Sequence, residues 1–260
     1  MSVPLRLLTS YNKLSMTYQA EKVVPYGSSE NKGTQVEKMF DSIAENYDTL
    51  NHTLSMGIDR GWRKKGLLTL KDLNPQNILD IATGTGDLAI EANKILRPQH
   101  ITGIDISEGM MEVGRQKVAK LGLSDQIDFE KQDCMSLDIQ DNTYDAAIVA
   151  FGIRNFENLD KGLKEILRVL KPGGKLMILE LSTPQHFPMK QGYWIYSRLF
   201  IPTIGRLISK DKAAYSYLPK SIEAFVQGKE MVNVLNKNGF RNAKCKTYTF
   251  GICSMYLGTK

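Results

Sequence analysis

Asp80-Ile-Ala-Thr-Gly-Thr-Gly-Asp87 sets a glycine-rich turn between two acids, with no lysine or arginine between Asn74 and Asn93. Residues 77–82 read as a buried strand, and the apolar spacing from Leu88 onward is helical. The turn therefore falls at a strand-to-helix junction, where α/β sheets bind nucleotides. At Gly84 and Gly86 a backbone without Cβ lets a ligand approach closely. Acids on both sides, at Asp80 and Asp87, select the ligand. A pyrophosphate is repelled in a partly dehydrated cleft, whereas a sulfonium and an ammonium are attracted. These residues favour S-adenosylmethionine over a dinucleotide, although Gly84-Thr85-Gly86-Asp87-Leu88-Ala89 fits G-x-G-x-x-A with Asp105 farther along. A P-loop is excluded, because no Gly-Lys-Ser/Thr follows the glycines.

Asp105 ends the second expected strand, about twenty residues after the glycines, where an acid can accept both hydroxyls of a ribose. The alternative is a helix N-terminal charge ahead of Ser107, itself an expected N-cap. Asp133-Cys134 follows the third strand at the same sheet edge. Asp133 is placed to take an adenine amino group, and Cys134 to supply a backbone amide and an apolar wall. No nucleophilic role is assigned to Cys134, since no base or helix N-terminus adjoins it in sequence. The fourth strand ends in Ala150-Phe151-Gly152-Ile153-Arg154-Asn155-Phe156, where an acceptor is expected; the Asn/Asp-Pro-Pro-aromatic tetrad common in nucleic-acid amino-methylases is missing.

The elements that must hold these residues alternate along the chain. Strands are expected at 78–82, 101–106, 127–131, 144–151 and 175–181, and helices at 88–96, 109–121 and 159–170, which implies a parallel sheet covered on both faces. Lys171-Pro172-Gly173-Gly174 stops the last of these helices. A further helix at 230–238 ends at Gly239, and strands at 243–249 and 253–258 surround a turn at Gly251. Residues 1–33 are expected to be a flexible arm, its first twenty residues a disordered extension or an upstream start ahead of Met16. Residues 34–73 form a helical lid in which Met39, Ile43 and Tyr47 share a face, with a second helix after Ile58. Residues 185–221 form an irregular insertion, either a cap over a cleft or a core helix.

At 260 residues, 42% apolar and 24% charged, the chain suits one main globular domain. Its three cysteines form no disulfide framework, and its three histidines have no metal-ligand spacing, so a reducing cytosol and no metal are expected. The net charge of +6 is scattered, which favours a solvated surface over nucleic-acid binding. The longest apolar run, residues 146–153, is too short for a membrane span.

Three segments carry a resemblance: Tyr47-Asp48-Thr49-Leu50-Asn51 to Gly61-Trp62-Arg63; Phe151-Gly152-Ile153-Arg154-Asn155; and Arg168-Val169-Leu170-Lys171-Pro172-Gly173-Gly174-Lys175 to Glu180-Leu181-Ser182-Thr183-Pro184. They resemble the menaquinone/ubiquinone biosynthesis C-methyltransferase family across residues 20–260. The resemblance implies a class I S-adenosylmethionine-dependent methyltransferase: a Rossmann-like, mostly parallel sheet of seven strands with helices on both faces, into which the final hairpin inserts one antiparallel strand. It implies methyl transfer to a ring carbon of a polyprenylated quinol. The blend of motifs is similar to the menaquinone branch, and so to demethylmenaquinol, with the benzoquinol of ubiquinone synthesis as the alternative. Thr85, Asp105, Asp133 and Cys134 match the family's donor-binding positions. Arg154 and Asn155 match its acceptor-side pair, while Ala150 replaces a serine found in some relatives.

On that basis Arg154 stabilises a developing oxyanion, directly or through a water, because a guanidinium is not itself a base; its alternative role is a salt bridge that fastens the loop. A small-molecule O- or N-methyltransferase and a donor-binding subunit without chemistry are the rival functions. A lipid-tailed acceptor implies a cytoplasmic protein held peripherally at the inner face of a membrane. The expected contact is residues 193–212, through aromatic residues with Arg198, Arg206, Lys210 and Lys212.

Overall fold

A computed structural model describes residues 17–200 and 211–260. Met16, Arg206 and Lys210 lie outside them, as does most of the extension expected ahead of residue 20. Nine helices of that part are α1 Lys32–Ile43, α2 Tyr47–Leu54, α3 Ile58–Leu67, α4 Asp87–Leu96, α5 Glu108–Lys120, α6 Leu159–Val169, α7 Met189–Ile195, α8 Lys212–Ala224 and α9 Gly228–Lys237. The strands are β1 Asn77–Ile81, β2 His100–Asp105, β3 Ile127–Lys131, β4 Tyr144–Ala150, β5 Leu170–Leu181, β6 Arg241–Tyr248 and β7 Cys253–Thr259.

They build one seven-stranded sheet in the order β3-β2-β1-β4-β5-β7-β6. The first five strands are parallel, and β7 runs antiparallel between β5 and β6. Each central strand feeds two cores because successive side chains point to opposite faces. Ile78, Ala146 and Ile148 pack with Leu67, Leu88 and Ala92 on one side. Leu79, Ala147 and Val149 pack with Leu163, Ile166 and Leu235 on the other. Helix α6 presents Leu159, Leu163 and Ile166 at helical spacing, and Asn158 caps it by accepting from the Lys161 amide at 2.8 Å. Ser107 caps α5 in the same way.

A third cluster lies above the strand ends, where Val36, Met39, Ile43 and Leu50 of the N-terminal helices meet Ala214, Tyr215 and Tyr217 of α8. Here the structure departs from the expected continuous helix. Ile43 (φ −109°, ψ −1°) and Asn46 (φ −105°, ψ 0°) leave helical geometry around a 3-10 turn, so Tyr47 starts a new helix. The expected arm also differs. Ala20 is buried in the main core, Tyr18 donates to Asp160, and Glu21 accepts from the Leu159 amide at 2.9 Å. Glu21 and Lys32, polar residues that suggested solvent exposure, are hydrogen-bonded to backbone of the domain, whereas residues 26–31 are exposed. Strand β5 begins earlier than expected, at Leu170, which pairs with Tyr144 before the ladder resumes at Lys175 and Ala146.

Candidate active site

The strand order reverses direction between β1 and β4, the position at which open α/β sheets bind ligands. A cavity of about 500 Å³ lies there, lined among others by Gly84, Asp105, Asp133, Cys134, Phe151 and Asn155. Asp105 receives the Gly84 amide at 2.8 Å on one oxygen and the Ser107 amide at 2.9 Å on the other. This carboxylate thus braces the glycine turn and the entry to α5, and it lines the cavity. Burial pushes its carboxyl up against the effect of these amides. Asp133 is exposed on the cavity rim and also accepts from the Met135 amide. Burial holds the Cys134 thiol well above its ordinary range, which agrees with a wall rather than a nucleophile.

Asp80, Gly84 and Thr85 line a small adjoining crevice with Asp87. Asp80 is 1% exposed. Its Oδ2 accepts from the Thr83 hydroxyl at 2.7 Å, but its Oδ1 has no hydrogen-bond partner. Burial pushes this carboxyl up to about 7. The Thr85 hydroxyl turns to Asp48 at 2.6 Å. Gly86 lines neither cavity. It begins α4 at φ +76°, and a Cβ there would sit 2.7 Å from the Phe129 ring. The missing side chain at Gly86 thus serves the turn and the packing of Phe129.

A second cavity, of about 130 Å³, is walled by apolar and aromatic side chains, including Met39, Leu50, Trp62, Tyr193 and Tyr217. Phe40, Tyr47 and Phe151 line both this chamber and the first cavity. Phe151 is held at φ +60°, with its ring edge-on to Trp62 and under the Arg63 guanidinium. Arg154, 6% exposed, also lines the chamber. Its Nη1 donates to the Phe151 carbonyl and pairs with Glu180 at 2.7 Å, while its Nε has no partner among the described residues. Burial opposes its charge, but Glu180 and the Tyr47 and Tyr217 hydroxyls outweigh that and hold the guanidinium above its ordinary value. Asn155 faces the first cavity and accepts from Tyr217, which lines the second, at 3.0 Å.

A profile of the ubiE/COQ5 methyltransferase family matches residues 28–260. The chain belongs to that family. It is 58% identical to a demethylmenaquinone methyltransferase of Bacteroides fragilis over 94% of this chain and 100% of the relative. Identity is 46% with one of Porphyromonas gingivalis, covering 92% and 98% of the two chains. It is 42% with a ubiquinone/menaquinone biosynthesis C-methyltransferase UbiE of Geotalea daltonii, covering 88% and 97%. Among solved structures, a possible histamine N-methyltransferase of Thermotoga maritima matches with a TM-score of 0.58 at 20% identity, covering 86% and 99%, a likeness of fold.

The residues of this methyltransferase fit S-adenosylmethionine, its methyl donor. The orphaned Oδ1 of buried Asp80 suits the donor's ammonium, and no lysine or arginine lies on the glycine turn itself. The lid is tied to that turn by charges that local sequence patterns did not reveal. Arg63 pairs with Asp59 at 2.7 Å and with Asp87 at 3.4 Å, and Lys117 bridges Asp87 and Asp48. Burial and the Ser55 hydroxyl act in opposite senses on Asp59, and with Arg63 the balance lies below the usual carboxylate range. Lys32 is buried under the Arg154 loop and donates to the Ala20 and Arg154 carbonyls; burial pushes it down to about 8. Helical periodicity marked Tyr47 as a face residue, and only the fold shows it at the junction of both cavities.

Proposed function

We propose that this methyltransferase methylates a ring carbon of a polyprenylated quinol, demethylmenaquinol ahead of the benzoquinol precursor of ubiquinone. The observation that carries this is the shared wall: an apolar chamber with a buried guanidinium meets the donor cavity at Tyr47 and Phe151. Flat aromatic walls suit a ring, and the relatives' names supply its class. When bound, S-adenosylmethionine supplies a sulfonium methyl that needs only alignment and exclusion of water. The protein's contribution is electrostatic. As the quinol hydroxyl passes its proton to water, the adjacent carbon becomes nucleophilic, and Arg154 stabilises the oxygen's developing charge directly or through that water. The ring carbon then takes the methyl as the methyl–sulfur bond breaks with its electron pair left on sulfur, and loss of the carbon's proton to water restores aromaticity. Asn155 and Tyr217 hold the wall between ring and donor. The donor-site roles assigned to Asp80, Gly84, Thr85, Asp105, Asp133 and Cys134 belong to the same proposal.

Such an acceptor partitions into lipid, and no helix among the described residues is long and apolar enough to cross a membrane. The proposed location is cytoplasmic, peripheral at the inner face of the membrane. Purified protein given labelled donor and both reduced acceptors with matched tails should label the naphthoquinol faster. Faster label in the benzoquinol reverses the acceptor assignment, and label in a polar metabolite instead of either supports an O- or N-methyltransferase.

A further inference from the structure

The two cavities are walled largely by different segments, and those around the acceptor chamber also carry most of the exposed large apolar side chains. Among the described residues nine large apolar side chains are exposed. Six of them, Met56, Ile58, Phe187, Trp194, Ile195 and Phe250, lie on three segments that also wall or flank the acceptor chamber. Met56 follows Ser55, Trp194 and Ile195 separate Tyr193 from Tyr196, and Phe250 precedes Ile252 by two residues; Ser55, Tyr193, Tyr196 and Ile252 line the chamber. Hydrogen bonds join the segments into one rim: Tyr196 donates to the Leu54 carbonyl, and Ser182 donates to the Gly251 and Ile252 carbonyls. Met56 and Phe250 stand at φ +51° and +56°, backbone that favours glycine. They are nevertheless 77% and 79% exposed, so little inside the molecule accounts for bulky apolar groups at strained positions.

Charge on the rim points to one occupant. Within residues 56–65, 185–198 and 244–252 the sole acid is Asp59, which is buried against Arg63; the exposed acids Glu223 and Glu230 share a crevice with Lys190 and Trp194 at one edge of the rim. Arg60, Lys64, Lys65, Lys190, Arg198 and Lys246 are exposed on the same segments. The exposed residues that line the donor cavity, Asn31, Lys131 and Asp133, lie on other segments, just before α1 and at the end of β3. We propose that the chain docks an anionic bilayer surface through this apolar, basic rim, so that the chamber mouth meets lipid while the donor mouth stays in water. The rim, rather than residues 193–212 alone, is then the membrane contact: two turns distant in sequence, at Met56 and Phe250, insert beside Phe187 and Trp194. The donor and its product exchange without release from the membrane. The inference rests on the lipid-tailed acceptor proposed above.

Flotation with zwitterionic vesicles and with vesicles containing phosphatidylglycerol, at low and high salt, tests it. Wild type should float with the anionic vesicles at low salt. A Met56→Ser/Phe187→Ser/Phe250→Ser variant should partition more weakly by about tenfold or more for each side chain withdrawn from lipid. An Arg60→Glu/Lys64→Glu/Lys190→Glu variant should lose the anionic preference, by roughly fivefold per cation at low salt. Trp194 fluorescence should be quenched by lipids brominated near the headgroup, a signal that a Trp194→Phe variant lacks. Equal flotation of all three proteins, or unquenched Trp194 in a protein that floats, overturns the rim. So does a rim-dependent dimer in sedimentation without lipid binding, which assigns the surface to a second copy. Methylation of a soluble short-tailed quinol separates the two claims. Turnover of that quinol without vesicle binding overturns the docking alone, and vesicle binding without turnover of any quinol overturns the acceptor assignment alone.

Discussion

Replacing Asp80 by Asn should make the donor-free protein less sensitive to alkali while weakening its grip on the donor. The carboxyl is held at about 7 by burial, with one oxygen unpartnered, against an ordinary value of 3.8. The folded chain therefore binds a proton that the unfolded chain has released between those values, and stability falls as pH rises through that window. From pH 5 to pH 8 the loss from this group is about 3 kcal/mol, because each pH unit up to the folded value contributes about 1.4 kcal/mol. Asn does not titrate, so its variant should lack this loss. At pH 8 the net gain should be smaller, since the new amide donor lies in place of the unpartnered oxygen and an unsatisfied buried group costs about 1–3 kcal/mol. Urea unfolding of both proteins at pH 5 and pH 8, without donor, measures the difference. Calorimetry with S-adenosylmethionine measures the second effect: wild-type affinity should rise with pH toward 7 as the ammonium draws out the anion, and the variant should bind at least tenfold more weakly with no such rise. Parallel pH dependence of stability in the two proteins would show that Asp80 is ionised at neutrality. Unchanged donor affinity would remove it from the site.

Arg154→Ala should lower turnover by about 10²–10³-fold with donor affinity little changed, and cost about 3–5 kcal/mol of stability because buried Glu180 loses its partner; near-wild-type turnover in the folded variant leaves only the structural role. Lys at that position should rescue turnover poorly, since its compact ammonium lacks the planar fork that lets the guanidinium hold Glu180 and the Phe151 carbonyl while turning another edge to an acceptor oxygen. Asp105→Ala should weaken donor binding by on the order of 2 kcal/mol, and equal calorimetric affinity in a folded variant rejects the ribose assignment. Gly86→Ala should destabilise the donor-free protein by about 1–3 kcal/mol through its positive φ and the Phe129 contact; a thermal midpoint equal to wild type, with donor binding lost, would return Gly86 to the ligand.

The sheet was legible because its signals are local. A buried strand, a glycine turn and an apolar helical stripe each occupy about ten residues, and β1, α4, α5 and α6 stand within a residue or two of expectation. The antiparallel place of β7 came from resemblance, since alternation alone does not order a hairpin within a sheet. The site was legible as positions but less so as contacts. Asp80 is singled out as an acid framing the glycine turn, Asp105 by its place at a strand end, and Arg154 by the resemblance at the end of the fourth strand; their partners Thr83, Gly84, Ser107 and Glu180 follow from the way strand ends converge. Lys117 reaches Asp48 across 69 residues of sequence, and no periodic pattern encodes such a pairing. The N-terminal segment misled because polarity has two causes: Glu21 and Lys32 are polar in order to satisfy buried backbone, not water. Gly86 was correctly singled out for its missing Cβ, but the Phe129 ring, thirty or more residues away, is what occupies the space.

The charges around the chamber are paired before any ligand arrives, and this bears on how it can catalyse. Arg154 faces Glu180 and Arg63 faces Asp59, each at 2.7 Å, so each pair is formally neutral. A lone guanidinium buried beside an apolar ring would carry a large desolvation cost and would hold an anion tightly from the start. On the proposed mechanism compensated pairs avoid both: a neutral quinol would enter without an uncompensated charge to desolvate, while the oriented dipole of Arg154 would meet negative charge only when the hydroxyl ionises. Stabilisation that grows from ground state to transition state raises turnover, whereas equal binding of both does not. The same pairing explains why the lid carries so much charge. Arg63 also reaches Asp87 at the start of α4, and Lys117 ties Asp87 to Asp48, so the helices that wall the acceptor chamber are hung from the turn that lines the donor crevice. A shift of the glycine turn is therefore transmitted to α2 and α3 through charged contacts rather than through soft apolar packing. The geometry of methyl and ring carbon, which must meet at about 3 Å, is set by one connected frame.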